Sequence, residues 1–270
     1  MSGRGDVAVI LVGHGSARHP ESAAPILALA DRLRASGRWA EVEAVFMKQA
    51  PALEDASGLV TAPVVVVVPV FAGKGYYTDT LIPRAMGLTG PVTRTGGRTL
   101  LYTPPAGTHG RIPGLMAARA ASVLRAEGLA PQSCSLLMIA HGSARPGGSG
   151  DTPRAIAAAI VASGTFAEVA LAFLEQEPFA RDWRSLVQGQ EIVALPLLVA
   201  QGMHASQDIP PLFGLSSGQL GPVAIDGRRV RLASNLGAEP ELADIIAEMV
   251  ETALAGEAPG ERLAPLSVHG

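Results

Sequence analysis

An internal repeat is the strongest constraint on how this chain can fold. The segment VILVGHGSAR at 9–18 returns as LLMIAHGSAR at 136–145, so that His14 and His141 follow equivalent apolar runs. The same offset of 127 residues aligns Phe46 with Phe173, Pro51 with Pro178, Gly75 with Gly202 and Pro83 with Pro210. A repeat that keeps its register over this length indicates an internal duplication, and therefore predicts two similar lobes.

Each copy alternates short apolar runs with longer segments of helical periodicity. The predicted strands are residues 7–12, 42–47, 64–70 and 99–102 in the first copy, and 136–140, 169–174, 192–199 and 230–233 in the second. The predicted helices are residues 21–35, 113–126, 152–162 and 239–255. The run VVVVVPV is apolar on both faces, which is typical of a central parallel strand between helices. The sequence thus predicts an α/β fold whose two similar lobes are each a parallel sheet flanked by helices.

The length of the chain suits this division. With 270 residues, each copy is long enough to bury its own core. We expect an N-terminal lobe at 1–128, a C-terminal lobe at 131–255 and a polar tail at 256–270, with the linker inside 126–133.

Composition excludes several classes of protein. The net charge is −3 and the basic residues are scattered, so a nucleic-acid partner is not expected. The single cysteine, Cys134, excludes an internal disulfide and a cysteine-ligated cluster, and it fits a reducing cytoplasm. The apolar run at the start is too short for a signal peptide or a membrane span, so we expect a cytoplasmic protein without a membrane partner.

Histidines and carboxylates fall at predicted strand ends. Ligands gather at the carboxyl ends of parallel strands, where His14 and His141 lie. In the loops after the third strands, FAGKGYYTDTLIP aligns with VAQGMHASQDIP and places Tyr77 opposite His204. After the second strands, VFMKQAP aligns with AFLEQEP and places Lys48 opposite Glu175.

The second copy therefore owns a set of potential ligands that the first copy lacks. Imidazole and carboxylate together suit a divalent metal or a proton acceptor, whereas the lysine would repel a cation. We predict that His141, His204 and Glu175 are catalytic, either as metal ligands or as proton acceptors. One alternative is that a lone histidine such as His14 is only a hydrogen-bonded turn residue. Ser143, which follows His141 by two residues, is more consistent with a turn former or a helix N-cap than with a nucleophile.

In their order and spacing, these motifs resemble the sirohydrochlorin chelatases, the cobalt- or iron-inserting enzymes of cobalamin and sirohaem synthesis. The resemblance covers 6–255 and rests on GHGSAR, AHGSAR, AFLEQEP, PLLVAQGMHASQDIP and NLGAEPELADII. It implies the long two-lobe form, with a tetrapyrrole held in a cleft between the lobes. It also places the metal-site histidines of the family on His141 and His204, and its acidic residue on Glu175. The first copy departs from the pattern at Tyr77.

The resemblance implies a lyase that inserts Co²⁺ or Fe²⁺ into sirohydrochlorin or a similar tetrapyrrole, with nickel left open. Neither a nucleotide nor an iron–sulfur cluster is implied. The cleft is expected to be complete within one chain, so that a monomer suffices. The predicted substrate-binding residues are His14, Ser16, Arg18, Tyr77, Ser143 and Arg145. The two arginines could instead face solvent, and a carrier or regulatory protein that binds a tetrapyrrole or metal without turnover remains the alternative function.

Overall fold

Each copy of the repeat forms a five-stranded sheet in the computed structural model, which describes residues 4–143, 150–199 and 208–256. The first sheet contains β1 (Val7–Gly13), β2 (Glu41–Phe46), β3 (Val64–Pro69), β4 (Val92–Thr95) and β5 (Arg98–Tyr102), in the order β2-β1-β3-β5-β4. The second contains β6 (Ser135–Ala140), β7 (Glu168–Phe173), β8 (Glu191–Pro196), β9 (Val223–Ile225) and β10 (Arg228–Leu232), in the order β7-β6-β8-β10-β9. The shared strand order confirms the α/β fold of two similar lobes.

The helices of the described chain follow the same repeat. They are α1 (Ala24–Ala35), α2 (Ala56–Leu59), α3 (Ile82–Ala85), α4 (Ile112–Ala126), α5 (Asp151–Ala162), α6 (Trp183–Leu186), α7 (Ile209–Leu212) and α8 (Leu242–Gly256). The predicted strands and long helices agree with the observed ones to within three residues, and the largest strand error is at β8, which ends at Pro196.

Each sheet also has an antiparallel edge strand that the sequence analysis did not predict. β4 pairs antiparallel with β5, and β9 with β10, whereas the other pairings are parallel. Both hairpins turn on residues with positive φ: Gly96 and Gly97 in the first, Asp226 and Gly227 in the second. Gly-Gly and Asp-Gly are the usual residues of a two-residue hairpin turn. These edge strands are short and partly exposed, so their apolar periodicity is weak.

The last helix of each copy packs on the sheet of the other copy. α4 contacts β8 and α5 of the second copy, and α8 contacts β3, β5 and α1 of the first. Met116 in α4 and Ile246 in α8 are fully buried, and both belong to one hydrophobic cluster that also contains Leu11 of β1 and Met138 of β6. The two lobes therefore share a core.

A buried arginine ties the exchanged α4 to the second sheet. Arg231 in β10 is only 2% exposed. Its guanidinium lies 2.7 Å from a carboxylate oxygen of Glu127, just after α4, and 2.7 Å from one of Glu191 in β8. The predicted lobe boundary falls at this point of the chain, and the limits 1–128 and 131–255 stay a prediction, as does the tail, nearly all of which lies outside the described residues.

No helix in the described part of the chain is long and apolar enough to cross a membrane.

A carboxylate clamp recurs at the amino edge of both sheets. Glu41 accepts hydrogen bonds from Thr61 Oγ1 (2.6 Å), from the backbone N–H of Thr61 (2.7 Å) and from that of Ala62 (3.2 Å). Glu168, its equivalent in the repeat, accepts from Ser135 Oγ (2.8 Å) and from the backbone N–H of Gln188 (3.0 Å). In both sheets the clamp joins the second strand to the segment that leads into the third.

The clamp predicts a pH-dependent loss of stability. The hydrogen bond from the Thr61 hydroxyl lowers the pKa of the Glu41 carboxyl, and the backbone donors add to this effect. Because the folded pKa is lowered, the stabilisation is complete above the ordinary glutamate value of about 4.3 and is lost as the pH falls through the folded value. Glu41→Gln should therefore lower the free energy of unfolding by about 1 kcal/mol at pH 7. In urea titrations the gap from wild type should close below about pH 4.

Glu43→Gln is the matched control, because Glu43 lies on the same strand and its carboxylate forms a longer ion pair with Arg34, at 3.8 Å. An equal loss in both variants, or a gap for Glu41→Gln that stays constant with pH, would refute the clamp.

Candidate metal and tetrapyrrole site

The predicted histidines lie at the carboxyl edge of each sheet. His14 directly follows β1 and His141 directly follows β6, and each of these interior strands has a parallel neighbour on both sides. The next residues, Gly15 and Gly142, have φ of 65° and 76°. A Cβ on Gly142 would also approach the Gln176 side chain to 2.7 Å, so the turn requires glycine.

Both turns are held by the same hydrogen bonds. The backbone N–H of Lys48 donates to the His14 carbonyl (3.0 Å), and that of Glu175 donates to the His141 carbonyl (2.9 Å). The N–H groups of the two serines of the motif donate to glutamine side chains in a second matched pair of bonds, Ser16 to Gln49 Oε1 (2.8 Å) and Ser143 to Gln176 Oε1 (2.9 Å). We call the carboxyl-edge loops around His14 the N-terminal half-site and those around His141 the C-terminal half-site. The two half-sites therefore share one backbone geometry and differ in their side chains.

The imidazoles are oriented by backbone carbonyls. Nδ1 of His14 lies 2.8 Å from the Gly15 carbonyl oxygen, and Nδ1 of His141 lies 3.1 Å from that of Gly142. Because a carbonyl only accepts, we assign the proton of each neutral ring to Nδ1 and the lone pair to Nε2. A histidine fixed in this tautomer is suited to bind a metal or to accept a proton through Nε2.

The structure brings together two of the three predicted catalytic residues. Glu175 Oε2 lies 3.7 Å from His141 Nδ1, and the side chains are 50% and 38% exposed. Solvent weakens the electrostatic interaction between groups this exposed. The third residue, His204, lies outside the described residues, as does Arg145. Within the described ranges, no cluster of three or more His, Cys, Asp or Glu side chains could hold a metal ion.

The N-terminal half-site presents aromatic rings instead. The Tyr77 ring meets His14 edge to face, with centroids 5.4 Å apart, and lies 6.0 Å from Tyr76 and 6.5 Å from Phe71. Tyr76 and Tyr77 are 55% and 40% exposed, in a chain that is only 4% aromatic. We call Phe71, Tyr76 and Tyr77 the aromatic patch. It offers a partly apolar surface at the edge where the second copy has its histidine and carboxylate.

The loop that carries the aromatic patch is anchored to strand β5. Tyr102 in β5 donates from its hydroxyl to the Thr78 carbonyl (2.7 Å), and burial raises the pKa of Tyr102, so it stays a donor at neutral pH. Thr78 itself is buried, and its hydroxyl oxygen accepts a hydrogen bond from the Gly75 backbone N–H (3.0 Å). The exposed tyrosines are therefore presented by a fixed segment.

Two further predicted substrate-binding residues, Arg18 and Ser16, differ in their surroundings. Arg18 is exposed near the His14 turn. Ser16 Oγ accepts a hydrogen bond from the His19 backbone N–H (3.1 Å), as a turn former does. Their role toward a substrate stays a prediction.

Sequence reasoning missed three residues of these half-sites. Gln49 and Gln176 brace the turns, and their recurrence at the repeat offset was the available signal. Arg154 in α5 lies with its guanidinium carbon 5.3 Å from the centroid of the Phe173 ring, beside the second turn. It follows 144–149, which the structure does not describe, and nothing in its local pattern marked it.

Fold and half-sites define a duplicated α/β protein with a histidine–carboxylate pair on one sheet and a histidine beside aromatic rings on the other. A sequence model of the CbiX family matches residues 8–123 and 135–253, one match for each copy. The chain belongs to the CbiX family.

Individual relatives agree with this assignment. A probable sirohydrochlorin cobaltochelatase of Halobacterium salinarum is 31% identical over an alignment of 262 residues, which covers 89% of each chain. A multi-domain Deinococcus radiodurans protein with structural similarity to chelatases is 30% identical, with a TM-score of 0.74, and this chain covers 54% of it with 91% of its own length. SirB from Bacillus subtilis, solved with Fe³⁺, has the same fold at 20% identity, with a TM-score of 0.72 over 93% of this chain and 96% of that one. The resemblance found in the motifs is confirmed.

Proposed function

We propose that this protein is a sirohydrochlorin chelatase that inserts Co²⁺ or Fe²⁺ into the tetrapyrrole without a nucleotide. The observation that carries the proposal is the contact between His141 and Glu175 at the carboxyl edge of the second sheet. The named activity of the Halobacterium salinarum relative, which matches nearly the whole chain, supports the choice of substrate.

Metal insertion requires a weak ligand and a base at one place. Two pyrrole N–H protons must leave, and the metal must exchange its water shell for nitrogens. His141 offers the Nε2 lone pair for either task, and Glu175 stabilises the ring once it is protonated. By sequence, His204 is the second imidazole. Imidazoles bind the ion weakly enough for the tetrapyrrole to remove it.

The aromatic patch supplies the opposite wall. Tyr76, Tyr77 and Phe71 suit the flat face of a macrocycle, since aromatic rings stack in offset or edge-on arrangements. His14 lies beside the patch without a carboxylate at the Glu175 position, where the first copy has Lys48. We assign His14, Ser16, Arg18, Tyr77, Ser143 and Arg145 to the substrate, and metal binding to His141 and His204.

The identity of the metal rests on relatives. The SirB structures were solved with Fe³⁺ and with cobalt, and the curated relatives are named cobaltochelatases. Imidazole also binds nickel, with an affinity that generally rises from iron through cobalt to nickel. A cytoplasmic location is part of the proposal and is supported by the single, buried Cys134.

An anaerobic absorbance assay tests the function. Purified protein is mixed with sirohydrochlorin and, in separate runs, with Co²⁺, Fe²⁺ or Ni²⁺, and the spontaneous rate is subtracted. We expect faster insertion of cobalt or iron. Tight binding of the tetrapyrrole without any acceleration would instead favour a carrier or regulatory protein.

A further inference from the structure

The lysines of this chain are confined to one edge of one sheet. Of 21 basic residues, 19 are arginine and only two, Lys48 and Lys74, are lysine. Lys48 follows β2 and Lys74 follows β3, so both lie in carboxyl-edge loops of the first sheet, next to His14 and the aromatic patch. Arginines, by contrast, occur in both copies and on helices, strands and loops.

Lys48 places a positive charge where the second copy of the repeat has the negative charge of Glu175. It occupies the position of Glu175, and its backbone makes the same bond to the neighbouring histidine, at 3.0 Å against 2.9 Å. A carboxylate beside His141 attracts a metal cation, whereas an ammonium group beside His14 repels one and attracts an anion. The N-terminal half-site therefore has the same backbone hydrogen bond as the C-terminal one, but the side chain beside its histidine has the opposite charge.

Lys74 lies where the two lobes meet. Its backbone N–H is 3.4 Å from Thr152 Oγ1 at the start of α5. The preceding Gly73 is packed so closely that a Cβ there would lie 2.7 Å from the Cβ of Thr152. Because α5 begins ten residues after His141, this contact fixes Lys74 at the border between the aromatic patch and the second lobe.

Both lysines are exposed, and neither lies within 4 Å of a carboxylate in the described part of the chain. The acidic residue of the same loop, Asp79, accepts a hydrogen bond from Thr78 Oγ1 (2.9 Å). An ammonium group on a flexible stem can follow carboxylates at different positions around a ring. Positive charge at the rim of an aromatic surface suits a flat ligand with carboxylates on its periphery.

We propose that Lys48 and Lys74 form a carboxylate-binding subsite for the peripheral side chains of the tetrapyrrole, built on a metal half-site whose charge has been reversed. The inference deepens the proposed function and rests on it. It also means that the first copy binds substrate and not a second metal ion.

Binding of a metal-free octacarboxylate porphyrin, uroporphyrin, tests the subsite without any catalytic turnover. The variants are Lys48→Gln, Lys74→Gln and the double substitution. Each single change should weaken binding about three- to tenfold and the double change more, as expected for losing a charge-assisted contact near solvent. The effect should shrink in high salt. Arg32→Gln is the matched control, because Arg32 is an exposed cation at the opposite edge of the same lobe, in the last turn of α1. It should bind like wild type.

A second measurement guards against misfolded variants. With two lysines in the chain, reductive methylation with labelled formaldehyde gives two side-chain signals in carbon NMR of the intact protein. Both should shift when uroporphyrin is added, and neither should shift with Zn²⁺ alone, a diamagnetic ion that imidazole also binds. Unchanged signals, or wild-type uroporphyrin affinity in the double variant, would overturn the subsite.

The inference and the proposed function fail in different ways. Co²⁺ affinity should be unchanged in the lysine variants and reduced in His141→Ala, and a loss of Co²⁺ binding in the lysine variants would also count against a separate anion subsite. Wild-type insertion with no lysine dependence overturns the subsite alone. Lysine-dependent uroporphyrin binding without metal insertion overturns the chelatase function alone.

Discussion

His141→Ala should lower the catalysed rate of cobalt insertion by roughly 100-fold or more, whereas His14→Ala should lower it less than about tenfold. The two histidines share one backbone frame and one ring orientation, so they are natural controls for each other. Only His141 has a carboxylate beside it, at 3.7 Å, while Lys48 takes that position next to His14. By sequence, His204→Ala should match the loss in His141→Ala.

Initial rates under anaerobic conditions, followed by absorbance and corrected for spontaneous insertion, decide between the two half-sites. Thermal unfolding of each variant shows whether a loss of rate reflects a loss of fold. Equal losses at His14 and His141 would mean that both sheets contribute ligands. Wild-type rates in His141→Ala would remove the metal site from the second lobe.

Separating the copies should abolish folding of the C-terminal half. A fragment 131–270 lacks α4, which packs on β8 and α5, and carries α8, which packs on the first sheet. It would expose the partners of Met116, Ala120 and Leu124, all of which are fully buried. Uncovering each large apolar side chain costs roughly 1.5–3 kcal/mol, and the whole stability of a domain is about 5–15 kcal/mol. We therefore expect no cooperative unfolding transition from the fragment.

Cutting the intact chain should have the opposite result. A protease site inserted between 128 and 130, in an exposed connection, breaks the backbone without removing either exchanged helix. The nicked halves should stay together through size-exclusion chromatography and keep most of the insertion activity. A fragment 131–270 that unfolds cooperatively on its own, or halves that separate after cleavage, would contradict the exchange.

The fold of the parallel strands could be predicted because periodicity and repetition act locally. Adjacent parallel strands also place their carboxyl ends together, which is why the proximity of His141 and Glu175 followed from the sequence. The exchange of α4 and α8 could not be predicted. An amphipathic helix shows that one face is buried but not which sheet covers it, and both sheets here contribute apolar residues to the same cluster.

The side chains around the half-sites were harder to predict than the histidines. Gln49 and Gln176 act through hydrogen bonds to backbone N–H groups, and such bonds leave no periodic signal in a sequence. The aromatic patch depends on three residues that come together only when the loop after β3 folds over His14. Tyr77 alone was singled out, because it stands opposite His204 in the repeat.

We infer that two unequal half-sites build one tetrapyrrole site within one chain. Titration of the intact protein with cobalt-sirohydrochlorin, read together with its mass in solution, tests this claim most directly. We expect one tetrapyrrole to bind per chain, and the protein to be a monomer when it binds. Two equivalent tetrapyrroles per chain, or binding that occurs only in a dimer, would contradict it.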